Sequence, residues 1–199
     1  MDSEVATARK SFTRDEIERL QSIGDRAHRA LLFVGLLTRK LALTSPMQQP
    51  IVVGGGAVEV YTAGGYTSQD IDLIMFDRAP AERILADSGF GKEGRYWIHS
   101  DLDVLVEFPG STLTYGPGAY QRLFRADVDG EHAWIIGIED ILIGRIWSGI
   151  SEKREHDLQM AREMVELNRS TIDWDAARQI AELNGPETVA ALQILRGAT

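Results

Sequence analysis

The sequence predicts an α/β protein: a short mixed sheet flanked by helices, with an α-helical C-terminal part. Three observations carry this. Apolar residues recur at helical spacing from Ile17 to Leu41. Short alternating runs punctuated by glycine occupy the middle of the chain, up to Ile136. From Gly137 onward the helical period returns.

Residues 1–12 read as a tail. Thr13-Arg14-Asp15-Glu16 is a capping box, a hydroxyl with an acid three residues on. Ile17, Leu20, Ile23, Ala27, Ala30, Leu31, Val34, Leu37 and Leu41 form the stripe that follows. Gly24 and Gly35 weaken it, which leaves two helices or one kinked one, and Ser45-Pro46 stops it. Ile51 to Val53 reads as a strand, Gly54 to Gly56 as a turn, and Ala57 to Thr62 as a helix opening that Ala63-Gly64-Gly65 ends. A second strand covers residues 68–76. Pro80 suits the first turn of a helix through Ala81, Ile84 and Leu85, which Gly89 ends. Arg95 to Ile98 and Leu102 to Phe108 read as strands around a turn at His99-Ser100-Asp101. Ser111 to Gly118 is a loop, Gly130-Glu131 a turn, and Ala133 to Ile136 a strand. Ile138, Ile141, Leu142, Arg145 and Ile146 mark one helix; Leu158, Ala161, Met164, Val165 and Leu167 mark the next. Asp173 starts another, and Asn184-Gly185-Pro186 separates it from the last, Glu187 to Leu195. This divides the chain into an N-terminal helical segment (1–45), a core (46–137) and a C-terminal helical part (138–199).

The 199 residues, 44 % of them hydrophobic, suffice for one domain with a real core. The absence of cysteine rules out a disulfide framework and a thiolate metal site. Met1 to Arg14 is polar and charged, unlike a signal peptide, and the apolar run Ala30 to Leu37 is too short to span a bilayer. The expectation is a soluble, cytoplasmic protein with no membrane partner. A net charge of −9 argues against bulk binding of duplex nucleic acid, though not against one RNA end in a local basic cleft. The four histidines have no metal-ligand spacing, and the four tryptophans make no stacking platform.

The chemistry concentrates in Val52-Val53-Gly54-Gly55-Gly56 and Thr67-Ser68-Gln69-Asp70-Ile71-Asp72-Leu73. On a strand, Asp70 and Asp72 point to one face. Two carboxylates there repel unless a cation lies between them, and a hard ion such as Mg²⁺ (or Mn²⁺) suits an all-oxygen set. Glycine backbone approaches a phosphate closely and offers N–H donors. Taken singly, a triple glycine is a turn and an Asp-x-Asp is a solvated strand edge. Together and in this order they suggest phosphoryl or nucleotidyl transfer. On the later strand, Asp103 and Glu107 share a face opposite the apolar Leu102, Val104, Val106 and Phe108.

This combination resembles the signature of the nucleotidyltransferase (polymerase-beta-like) superfamily, with Val53-Gly54-Gly55 and Asp70-Ile71-Asp72-Leu73 matching. The spacer is longer than in compact members, as in the branch of AbiEii-type toxins and related nucleotidyltransferase-like bacterial proteins, which Thr67 also fits. The resemblance covers about residues 50–160. It implies a nucleotidyltransferase-like core. Gly54 and Gly55 would seat the triphosphate of an NTP. Asp70 and Asp72 would be catalytic metal ligands. A third acid on a neighbouring strand would complete the metal site and draw the proton from the acceptor. Val106-Glu107-Phe108-Pro109 matches the pattern for that acid, so Glu107 is preferred and Asp103 is the alternate. Arg145, Lys153 and Arg154 are candidates to neutralise the triphosphate; as surface residues, Lys153 and Asp157 are also spaced for an ordinary helical ion pair.

The implied reaction is Mg²⁺-dependent transfer of an NMP from an NTP to a hydroxyl acceptor, such as a tRNA end or a protein. A toxin-like role would add an antitoxin partner. Two alternatives stay open: a non-catalytic nucleotide-binding or regulatory protein with the same fold, and an antibiotic-modifying nucleotidyltransferase.

Overall fold

The computed structural model describes residues 11–41 and 48–197. Over these residues the chain is mixed α/β, with eight α-helices and one seven-stranded mixed sheet. It divides into two compact units. The first takes the described residues of Met1–Gly56 with Ser68–Thr112 and Arg125–Ile135. The second takes Ala57–Thr67, Leu113–Phe124 and the described residues of Ile136–Thr199. The division is not consecutive in sequence.

The first unit begins with α1 (Arg14–Ser22) and α2 (Arg26–Leu41), so the long helical pattern resolves into two helices that part around Gly24. The capping box forms: the Glu16 amide donates to the Thr13 hydroxyl at 3.3 Å, and the Thr13 amide donates to the Glu16 carboxylate at 2.7 Å. A cap of this kind contributes about 1 kcal/mol. The reading of residues 1–12 as a tail lies outside the described residues up to residue 10, as does the stop at Ser45-Pro46. Phe12 itself is no tail. It is buried, its ring lies 5.5 Å from that of Phe33, and its amide donates to Ser88 Oγ at 2.8 Å.

The sheet comprises β1 (Ile51–Val52), β2 (Ile71–Ile74), β3 (Gly91–Glu93), β4 (Tyr96–His99), β5 (Val104–Gly110), β6 (Phe124–Val128) and β7 (Glu131–Ile135), in the order β3-β4-β5-β2-β1-β7-β6. Two strands are absent from the sequence reading. β3 is three exposed residues, Gly-Lys-Glu, without apolar alternation. β6 at the opposite edge, Phe-Arg-Ala-Asp-Val, does alternate apolar with polar, but the run is short and none of its residues is buried. The hairpin turn before β7 falls at Asp129-Gly130, one residue earlier than expected. Both residues have positive φ, the requirement of a type I′ turn. Helix α3 (Gly54–Tyr61) follows β1, and α4 (Ala79–Asp87) follows β2.

α2 lies along β7. Leu32, Phe33, Val34, Leu36 and Leu37 are fully buried there. Gly35, read from the sequence as a helix weakener, is the point of closest approach. A Cβ at this position would meet Glu131 Cβ at 2.7 Å and the His132 amide nitrogen at 3.3 Å. The helix therefore rests backbone-to-strand on β7.

The second unit is helical, with α5 (Ile138–Ser151), α6 (Glu155–Asn168), α7 (Trp174–Leu183) and α8 (Pro186–Gly197). α5 touches the other three and is buried over six consecutive residues, Ile138 to Ile143. Its two buried acids are both partnered. Asp140 takes a two-pronged ion pair from Arg122, with contacts of 2.8 and 2.6 Å, and Glu139 accepts from the Asp173 amide at 2.9 Å. Asp173 caps α7 by accepting from the Asp175 and Ala176 amides. Leu167, expected on the inner stripe of α6, is exposed. Among the described residues, no helix is long and apolar enough to cross a membrane.

Two measurements check this packing. Alanine favours a helix over glycine by about 1 kcal/mol, but the contact with β7 outweighs that. Gly35→Ala should therefore destabilise the protein by about 1–3 kcal/mol in urea unfolding. The second concerns Glu16. Burial acts to raise its pKa, but hydrogen bonds from Lys40 and the Thr13 amide, with the charges of Lys40 and Arg39, hold it below its ordinary value of 4.5. A carboxyl depressed by folding stabilises above its unfolded pKa, and that contribution is lost as pH falls through the folded value. Urea midpoints should therefore show Glu16→Gln less stable than wild type at pH 7, with the gap closing below about pH 4.5.

Candidate functional site: a carboxylate cluster beside a glycine helix entry

Pairing of β1 and β2 builds the site. The strands are antiparallel, with Ile51 opposite Ile74 and Val52 opposite Leu73. The Val53 amide extends the ladder by donating to the Asp72 carbonyl at 3.0 Å. The next residue, Gly54, is thereby brought under the Asp72 side chain. Its φ is +57°, and a Cβ built on it would lie 2.0 Å from Asp72 Oδ2 and 2.8 Å from Cγ. Glycine is required twice here, for backbone conformation and for space.

The three glycines do not form a turn ahead of a helix at Ala57, as the sequence reading has it. They are themselves the first turn of α3. Gly54 leaves room for Asp72, and a Cβ at Gly56 would press on Val52 Cγ1 at 3.2 Å. A helix entry leaves its first backbone N–H groups without intrahelical partners, and an anion beside them is stabilised.

β2 then pairs in parallel with β5, placing Ile71 beside Val106 and Asp72 beside Glu107. Asp70 lies just before β2, which is shorter than the expected span of 68–76. The preceding loop is held from two sides. Ser68 Oγ donates to the Asp70 carbonyl at 2.9 Å, and the Arg26 guanidinium donates to the Gln69 carbonyl. The result is one cluster. Asp70, Asp72 and Glu107 each offer a carboxylate oxygen, and these oxygens lie within 4.8 Å of one another.

The alternate acid, Asp103, is not part of that cluster. It ends the 3₁₀ turn Ser100–Leu102 in a left-handed conformation, φ +48°, where the strand alternation that pairs it with Glu107 no longer applies. Its carboxylate meets Arg29 at 3.3 Å and Arg26 at 3.9 Å.

Arg145 and Lys153 belong to the second unit. Arg145 Nη1 pairs with Asp157 at 2.9 Å, and Ser148 Oγ also donates to Asp157 at 2.6 Å. The expected helical pair between Lys153 and Asp157 does not form. Lys153 lies between α5 and α6 with φ +55°, so helical spacing does not bring the two together. Arg154 pairs with Glu152 at 2.8 Å.

One site residue escapes sequence reading. Arg95 Nε lies 3.2 Å from Glu107 Oε2, and its guanidinium stacks on the Tyr96 ring at 4.8 Å from the centroid. It reaches Glu107 because Tyr96 pairs with Glu107 across β4 and β5. A register this specific follows from strand pairing, and a lone arginine in a turn does not announce it.

Carboxylates this close repel by about 3 kcal/mol per pair at an effective dielectric constant of about 20. A cation among them relieves that repulsion. The donor set is all oxygen and charged, which fits a hard divalent ion of the Mg²⁺ or Mn²⁺ kind. Because of the contact at Gly54, Gly54→Ala should cost about 1–3 kcal/mol in urea unfolding and remove any stabilisation that added Mn²⁺ confers on the wild type.

Compared with known proteins, the chain matches no family model and no curated relative.

Proposed function

We propose that this protein is a Mg²⁺-dependent nucleotidyltransferase, moving an NMP from an NTP to a hydroxyl acceptor. The observation that carries the reading is the meeting of Asp70, Asp72 and Glu107 beside Gly54 at the entry of α3. Carboxylates gathered at a helix entry combine a cation site with a phosphate seat, the two requirements of polyphosphate chemistry.

Asp70, Asp72 and Glu107 would hold one or two divalent ions, and such ions neutralise the charge of the attacking and leaving oxygens. Gly54 and Gly55 would let the triphosphate approach the backbone of α3. In the transfer, the acceptor oxygen forms a bond to the α-phosphorus. The bond from that phosphorus to the bridging oxygen breaks, and pyrophosphate departs with the electron pair. Glu107 takes the proton of the acceptor hydroxyl. A tRNA end, a protein hydroxyl and a small molecule such as an antibiotic all satisfy this chemistry as acceptors. In the toxin-like case the enzyme would be restrained by an antitoxin partner.

One observation favours a second reading. The Arg95 ion pair occupies the carboxylate that would act as base. A nucleotide-binding or regulatory protein that performs no transfer would tolerate this permanently.

Incubation with α-labelled NTPs, Mg²⁺ and separate RNA, protein and small-molecule acceptors decides between them. Transfer predicts label on one acceptor class and none after chelation of the metal. Asp70→Asn and Asp72→Asn should each lower incorporation by about 10³-fold or more. Both variants should keep the wild-type fold, since each removes one of three like charges. Binding of NTP without label on any acceptor would establish the second reading.

A further inference from the structure

We infer that Arg95 is a displaceable counter-ion, competing with a divalent cation for Glu107 and turning to the phosphates of the nucleotide once the metal is bound. This rests on the nucleotidyltransferase reading and adds to it a residue and an order of events.

Four observations support it. Arg95 is the second residue of the two-residue turn between β3 and β4, after Gly94 at φ +60°. Its position is fixed at the backbone while its side chain is 67 % exposed. The guanidinium contacts Glu107, one of the three clustered acids, at 3.2 Å through Nε. Its other anchor, the face and hydroxyl of Tyr96, is on the adjacent residue and leaves the guanidinium near the cluster whichever anion it contacts.

The energetics favour exchange over permanence. An ion pair with so exposed a partner contributes little. A divalent ion among three carboxylates gains far more from the same oxygens. An arginine released from Glu107 remains a planar donor of paired N–H groups, the geometry that phosphate oxygens accept. Side-chain rotation at an exposed position is fast and costs no backbone change.

The distinguishing signature is a pair of opposite effects from one substitution. Arg95→Gln removes both a competitor for Glu107 and a positive charge near the metal. Affinity for Mn²⁺ alone, read from the free-ion signal by electron paramagnetic resonance, should rise about tenfold. Affinity for a non-hydrolysable α,β-methylene NTP at saturating Mn²⁺, read by calorimetry, should fall about tenfold. Arg95→Lys, which keeps the charge but not the fork, should restore the Mn²⁺ affinity of the wild type and only part of the nucleotide affinity. A merely structural role would weaken both ligands together, and that result overturns the inference. So does unchanged affinity for either ligand in Arg95→Gln. If neither wild type nor Arg95→Gln binds Mn²⁺, the nucleotidyltransferase reading falls with it; Mn²⁺ and nucleotide binding indifferent to residue 95 overturns the role of Arg95 alone.

Discussion

Like charge held at short range is the constraint around which the first unit is arranged. Three carboxylate oxygens within 4.8 Å of one another disfavour the folded state unless something positive accompanies them. The sheet imposes this closeness. Parallel pairing of β2 with β5 sets Asp72 beside Glu107, and the neighbouring apolar residues keep that register, since a one-residue slip would turn Ile71 and Val106 out of the core. The hydrophobic pattern of two strands thus enforces an electrostatic arrangement that the acids themselves oppose. The proposed divalent cation would relieve that tension.

The surrounding residues make the arrangement specific. Gly54 admits the Asp72 carboxylate because it has no side chain, and Val53 fixes the distance by a ladder hydrogen bond to the Asp72 carbonyl. The loop before Asp70 is tied to α2 through Arg26 and to itself through Ser68. Arg26 reaches both the Gln69 carbonyl and Asp103, so the start of α2 braces the approach to the cluster. Arg95 supplies a positive charge from an exposed side chain in the turn between β3 and β4.

The acids of the second unit present a useful contrast. Asp140 is fully buried and receives both prongs of Arg122. Asp157 is nearly so and receives Arg145 and Ser148. Each is one carboxylate satisfied by its own donors, the pattern expected of structural ion pairs. Nearby, burial with the charges of Glu139 and Asp140 pushes the Tyr61 hydroxyl pKa up, and that hydroxyl donates to the Ile136 carbonyl at 2.7 Å. These groups hold helices together.

Much of this was legible in the amino-acid order alone. Helical periodicity and the capping box located α1, α2 and the four C-terminal helices, because amphipathic burial writes its period into the chain. Alternation in Val104, Val106 and Phe108 located β5, and the proximity of a glycine run to Asp70 and Asp72 pointed to the site. The edge strand β3 was not legible, because an exposed polar strand is held by hydrogen bonds to its neighbour and needs no apolar pattern; β6 has only five alternating residues, too short a run to mark a strand by itself. Nor was the choice between Glu107 and Asp103, which share a parity in sequence. The resemblance preferred Glu107, but strand parity alone does not separate them; the local 3₁₀ turn before β5 does, and so does the long-range parallel register with β2. The helix entry at Gly54, the role of Gly35 and the arrival of Arg95 beside Glu107 belong to the same class. Local preference is encoded residue by residue, whereas these contacts join residues far apart in the chain and exist only once the sheet has closed its register.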